Sequence, residues 1–202
     1  MTNANRSSAP FLLAMVVWLA LACVLGASGF VASLVPPQPQ IMIVVLTLAL
    51  LFSGWLHPGL RAWLAHVNLR GFIAFHITRF VGVVFLMMSA RGTLSPAWAL
   101  PAGWGDIAVA TGALLLALFL RQPDTRPDLV RLWNLIGLID IVGVVATAAR
   151  IAMRDPAAMA PLLRFPMSLV LTFVVPIIIA SHIWMALRLQ PRKRAMKGTA
   201  AA

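Results

Sequence analysis

The feature that most limits what this chain can become is a long segment without charge. Between Arg6 and Arg61 there is no Asp, Glu, Lys or Arg. A membrane-crossing helix needs about 20 predominantly apolar residues, so the segment has room for two. Its middle carries a break, Pro36-Pro37-Gln38-Pro39. Prolines there remove amide donors and push the residues before them out of helical geometry. The pattern predicts spans near 11–34 and 41–63. The first apolar run exceeds the roughly 7–15 residues of a secretory-signal core, and a second run follows almost at once, so it is read as a span and not as a leader.

Composition extends the argument to the rest of the chain. Hydrophobic residues make up 61% and charged residues 10%, with a mean hydropathy of +0.94. A soluble domain carries about 25% charge, and this one could not hide so much apolar surface from water. Further spans are predicted near 71–90, 106–120, 132–149 and 165–187. Turn formers at 92–96 and 101–105 put the start of the fourth span at Asp106. Pro176 lies inside the sixth span and should kink it. The expectation is an all-α integral membrane bundle of six transmembrane helices. It forms a single domain over residues 1–202, whose last part, 188–202, is a basic tail.

The net charge is +11. In a soluble domain this would suggest nucleic acid. Here the cations lie between apolar runs, and none is interleaved with aromatics as a base-stacking surface requires. No nucleic-acid partner is expected. With the N-terminus inside, one side holds Arg6, Arg61, Arg70, Arg121, Arg126, Arg131, Arg188, Arg192, Lys193, Arg194 and Lys197. The other side holds Arg91, Arg150, Arg154 and Arg164. The positive-inside rule then places both termini in the cytoplasm. Trp55, Trp63 and Trp133 would mark the inner interface, and Trp98 and Trp104 the outer one. The lone cysteine, Cys23, excludes an internal disulfide and reads as a small core residue.

Charged groups in a bilayer core cost about 2.5–3.5 kcal/mol each on insertion scales, so those present need a reason. At 1.5 Å per residue, Arg79 and Asp140 each lie about 12 Å in from the cytoplasmic side, and His76 and His182 about 8–9 Å. His76 and Arg79, three apart, share a helix face. Gly137, Asp140 and Gly143 form a small-residue stripe where another helix can approach. Asn134 lies on the same span, about 120° around from Asp140. His76, Arg79, Asn134, Asp140 and His182 thus form a candidate inner-leaflet polar cluster. It is read either as a small-ligand or proton site or as a buried Arg79–Asp140 ion pair that fixes packing. Asp106 is read apart from it, as a first-turn acid at the outer mouth of span four, with Arg150 and Arg164 as outer-side partners. Asp106-Ile107 and Asp140-Ile141 open similar runs, but at different expected depths, so no internal repeat is assigned.

Two histidines at one depth on different helices are the minimum for bis-imidazole haem b. His76 and His182 therefore carry a haem-binding electron-transfer alternative. No metal site is expected, because the set lacks an i, i+4 ligand pair or HExxH spacing. No nucleophile elbow, P-loop or dinucleotide fingerprint is present. Ser89, Ser168 and Ser181 read as helix–helix hydrogen bonders.

Four runs carry a resemblance: Arg79-Phe80-Val81-Gly82-Val83-Val84-Phe85, Pro101-Ala102-Gly103-Trp104-Gly105-Asp106, Trp133-Asn134-Leu135-Ile136-Gly137-Leu138-Ile139-Asp140, and Pro176 with His182. Over spans three to six the chain resembles a small family of bacterial multi-pass membrane proteins without established activity. The resemblance implies a bacterial inner membrane and carries over no functional residues. Beyond the lipid bilayer, a homo-oligomer or a membrane partner subunit is a further expectation. In the third reading the chain is a structural partner subunit without chemistry.

Overall fold

The computed structural model describes residues 4–120 and 125–190, with side chains from residue 9 onward. Most of the expected basic tail, 191–202, and residues 121–124 lie outside the described residues. Every regular element described is helical. α1 (Ala4–Ala27) is followed by a short 3₁₀ turn (Val31–Ser33) and α2 (Gln38–Leu56). α3 (Pro58–His66) and α4 (Leu69–Phe75) lead into a 3₁₀ segment (His76–Val81) and then α5 (Gly82–Ala90). α6 (Pro96–Phe119) and α7 (Pro127–Arg154) are long. α8 (Pro156–Met159) and a 3₁₀ turn (Ala160–Leu163) precede a π segment (Val170–Val174) and α9 (Val175–Arg188).

Six helical stretches are long and apolar enough to cross a membrane: Ala9–Ala27, Gln38–Leu56, Leu69–Ala90, Pro96–Phe119, Pro127–Arg154 and Val170–Arg188. Their outward faces are apolar. On α1, Leu13 is 64% exposed and Val16 62%. In water such a surface is an aggregation liability, whereas in lipid it is the normal solvent contact. The architecture is that of a multi-pass membrane protein.

Span one ends at Ala27 and not at 34, and span five runs from Pro127 to Arg154, beyond both ends of the expected 132–149. Three further boundaries differ from the sequence expectation. Span two ends at Leu56 and does not reach Trp63. Pro58 disfavours helical geometry at the residue before it, and His57 is extended (φ −94°, ψ 107°). Span four starts at Pro96, ten positions before Asp106. Pro96 takes the first helical position, where a missing N–H costs nothing, and the 101–105 turn formers are simply helix. Span six is helical only from Ser168, so Pro166 sits in a preceding turn and not at its first helical position. Pro176 cannot bond back to Thr172, and the chain absorbs the irregularity as the π segment just before it.

α6 is the central helix, packed by α4, the His76–Val81 segment, α5 and α7. α9 crosses α2 and α7. Near the end of the bundle where α4 begins and α9 finishes, Leu69, Ile73, Val109, Ala113, Trp133 and Met185 form one apolar cluster. At the far end Phe85, Trp98, Ala99, Met159 and Leu162 form another. A third joins Ile43, Ile141, Val175 and Ile178. Two tryptophans expected at interfaces are interior. Trp98 donates its indole N–H to the Val144 carbonyl (3.0 Å) and Trp133 to the Val109 carbonyl (3.1 Å). A buried indole keeps its apolar body in the core only if its N–H finds an acceptor.

Candidate functional site

Between these clusters lies a buried polar centre built around Arg79. The 3₁₀ segment has three residues per turn, so positions three apart eclipse. His76 and Arg79 therefore point the same way, into the bundle, and both are fully buried. The Arg79 Nε donates to Asp106 Oδ1 (2.6 Å), its Nη1 to the Gly137 carbonyl (3.0 Å) and its Nη2 to Asp140 Oδ2. Each guanidinium nitrogen is thus engaged, one by α6 and two by α7. The expected Arg79–Asp140 pair is present. The centre also holds a second carboxylate, so two formal negative charges face one positive charge.

Asp106 is not an outer-mouth cap. Because α6 begins at Pro96, Asp106 lies about 15 Å along the helix at 1.5 Å per residue. It is buried, and its ion-pair partner is Arg79. Arg150 and Arg164, expected as its partners, are exposed side chains. The two Asp-Ile runs, set aside for unequal depth, supply the two carboxylates that meet one arginine. That likeness was the available signal, and the misplaced start of span four concealed it.

Two glycines make the centre compact. A Cβ on Gly105 would collide with the Asp140 carboxylate, so its absence lets α7 present that group to α6. A Cβ on Gly137 would lie 2.5 Å from His182 Cε1 and 2.8 Å from its Nε2. The expected small-residue stripe is used at Gly137 only, because Gly143 faces open space.

The histidines form a second layer. Asn134 donates from Nδ2 to the His182 carbonyl (3.0 Å), and its Oδ1 accepts from His182 Nδ1 (2.8 Å). Asn134 thus joins the cluster through α9 and not through Asp140. Ser181 donates to the Ile178 carbonyl (2.8 Å), so its oxygen is left to accept from His76 Nε2 (3.1 Å). This is a bond between helices of the kind expected of Ser181. These bonds fix both tautomers, and they leave His76 Nδ1 and His182 Nε2 buried without a partner. The two rings lie 4.1 Å apart, centroid to centroid. That is a single van der Waals contact. A macrocycle has no layer between them, so this arrangement does not fit the bis-imidazole haem reading.

Each carboxylate walls a cavity. Asp106 lines one of about 290 Å³, otherwise almost wholly apolar, at the far end of the bundle. Asp140, whose side chain is 22% exposed, lines another of about 220 Å³ with Gly143 and Thr147. Trp98 and Val144 line both. Their hydrogen bond is the partition between the two spaces, and Trp98 gave no sign of this role in the sequence.

No curated protein and no solved structure matches this chain. A family model, described as a domain of unknown function (DUF8737), matches residues 36–190. The match takes in spans two to six, and with them every residue of the polar centre and of the cavity beside Asp140; α1 lies outside it, as do Ala32, Leu34 and Val35 of the cavity beside Asp106. The chain therefore belongs to the DUF8737 family, a domain of unknown function.

Proposed function

We propose that this protein binds, and by extension moves, a small ligand or a proton within a bacterial inner membrane, with Arg79, Asp106 and Asp140 as the working groups. One observation carries the reading: a fully buried arginine holds two carboxylates, and each carboxylate walls its own cavity. Ionisable groups are costly at membrane depth and are by default functional there. A purely architectural pair needs neither a second acid nor open space beside it. The competing reading is a structural subunit, favoured by the fact that all three guanidinium nitrogens are already engaged.

The test uses liposomes containing the purified protein and the pH dye pyranine, under a valinomycin-set potential. Organic extracts of the protein from its native membrane are examined in parallel by mass spectrometry. Wild type should acidify the lumen, or retain a small molecule, and Asp106→Asn and Asp140→Asn should each abolish that signal. If both variants fold and match wild type in both measurements, the centre is architecture.

The cation distribution supports both termini facing the cytoplasm. Reporter fusions after Lys197 and within 122–128 should then read cytoplasmic, and fusions near Ser95 and Ala158 periplasmic. A periplasmic reading after Lys197 would overturn this orientation.

A further inference from the structure

We propose that the cavity walled by Asp106 takes a lipophilic organic cation: an ammonium head on a compact apolar body. The proposal rests on the ligand-binding reading above and names the class of ligand. Its first support is the choice of polar groups. Among the lining residues only Asp106 and Gln40 carry polar side chains, apart from the Trp98 indole, whose N–H is committed to Val144. Gln40 Oε1 is buried without a partner, and Asp106 is a carboxylate. Both therefore offer acceptor oxygens, although the Gln40 amide also carries an N–H2 donor. No Lys, Arg, His, Ser or Thr lines the space, so a phosphate or carboxylate head finds no cationic partner there and meets the Asp106 carboxylate, whereas a cation finds a charge partner.

The aromatic walls point the same way. Phe85 and Trp98 both line the cavity, with ring centroids 5.0 Å apart at 57°. Aromatic faces beside an acid are the means by which proteins hold quaternary ammonium groups, through cation–π attraction that strengthens when the site is dry. The charge count agrees. Arg79 balances one of its two carboxylates, and a bound cation would balance the other. The volume, about 290 Å³, is at the small end of ligand sites, which run from about 300 to 1,000 Å³. It suits a compact molecule better than a two-chain lipid.

The experiment measures equilibrium binding of radiolabelled benzyltrimethylammonium to the full chain in zwitterionic nanodiscs. Two competitors share its shape: neutral neopentylbenzene and anionic benzylsulfonate. Saturable binding near one per chain is expected. Benzylsulfonate should not compete, and neopentylbenzene should compete at least about tenfold more weakly. Asp106→Asn should weaken binding at least about tenfold, and so should Ala148→Leu, which fills the cavity wall without touching the arginine or either carboxylate. Should Asp106→Asn fail to fold, Ala148→Leu and Trp98→Leu carry the test.

Equal competition by the neutral or anionic compound overturns the choice of a cation; if Asp106→Asn still abolishes binding, the ligand-binding reading stands. Binding undiminished in Asp106→Asn and Ala148→Leu places the cation elsewhere and overturns the proposal. Absence of saturable binding to folded protein also overturns it, while the flux and extract measurements judge the broader reading separately.

Discussion

Arg79→Leu should remove most of the folded protein. The substitution leaves Asp106 buried and Asp140 half-buried with no counter-charge, and it strands the Gly137 carbonyl without its donor. Breaking a buried ion pair by deleting one partner costs about 3–5 kcal/mol. That is a large share of the roughly 5–15 kcal/mol that holds a native domain together. Asp140→Leu should cost less, because its side chain is 22% exposed and Asp106 still holds the arginine. The triple replacement of Arg79, Asp106 and Asp140 by leucine should recover part of the loss, since hydrophobic substitutes for a whole buried charge cluster are often close to neutral. Monodisperse yield from nanodiscs and the thermal midpoint measure both effects. Additive losses across Arg79→Leu, Asp106→Leu and their double would mean that the groups do not interact. An Arg79→Leu protein as stable as wild type would remove the centre described here.

Gly137→Ala against Gly143→Ala is the second large contrast, and it compares two glycines on one helix. The new methyl at 137 would lie 2.5 Å from His182 Cε1. That ring has little room to yield, because Asn134 holds one edge and His76 lies against it at 4.1 Å. Overpacking of this kind costs about 1–3 kcal/mol, and the methyl would also press on Val109, 3.1 Å away. At Gly143 nothing lies within 4 Å of the added methyl. Alanine there should be neutral, or stabilising by about 0.5–1 kcal/mol through its better helix propensity. Thermal midpoints measured in one lipid decide between them. Equal shifts at the two positions would show that His182 does not pack on Gly137.

How far the site was legible can be judged residue by residue. His76, Arg79, Asp140, Asn134 and His182 were recognisable because an ionisable or amide group is conspicuous in an apolar span, and depth follows from counting at 1.5 Å per residue. Asp106 was visible but misplaced. Local turn chemistry at 101–105 suggested a loop, whereas burial against α5 and α7 makes the segment helix. Tertiary packing overrides weak local preferences of this kind. Ser181 was legible only as a helix–helix hydrogen bonder without a named partner, and Trp98 was misplaced at the outer interface. A hydroxyl or an indole in a span acquires meaning only from what faces it, here His76 and the Val144 carbonyl.

The amino-acid sequence by itself determined the class of the molecule. Runs of about 20 apolar residues separated by charge and proline have one stable solution in lipid, helices that satisfy their own backbone hydrogen bonds. Periodicity and depth also put His76 and Arg79 on one face and Arg79 level with Asp140. Only the tertiary structure decided that Arg79 holds two carboxylates, that the histidines touch and leave no room for a macrocycle, and that each acid opens onto a separate cavity. The reason is geometric. Contacts between helices depend on rotation and crossing, and these are set by where glycines such as Gly105 and Gly137 permit close approach, which no single helix records in its own pattern.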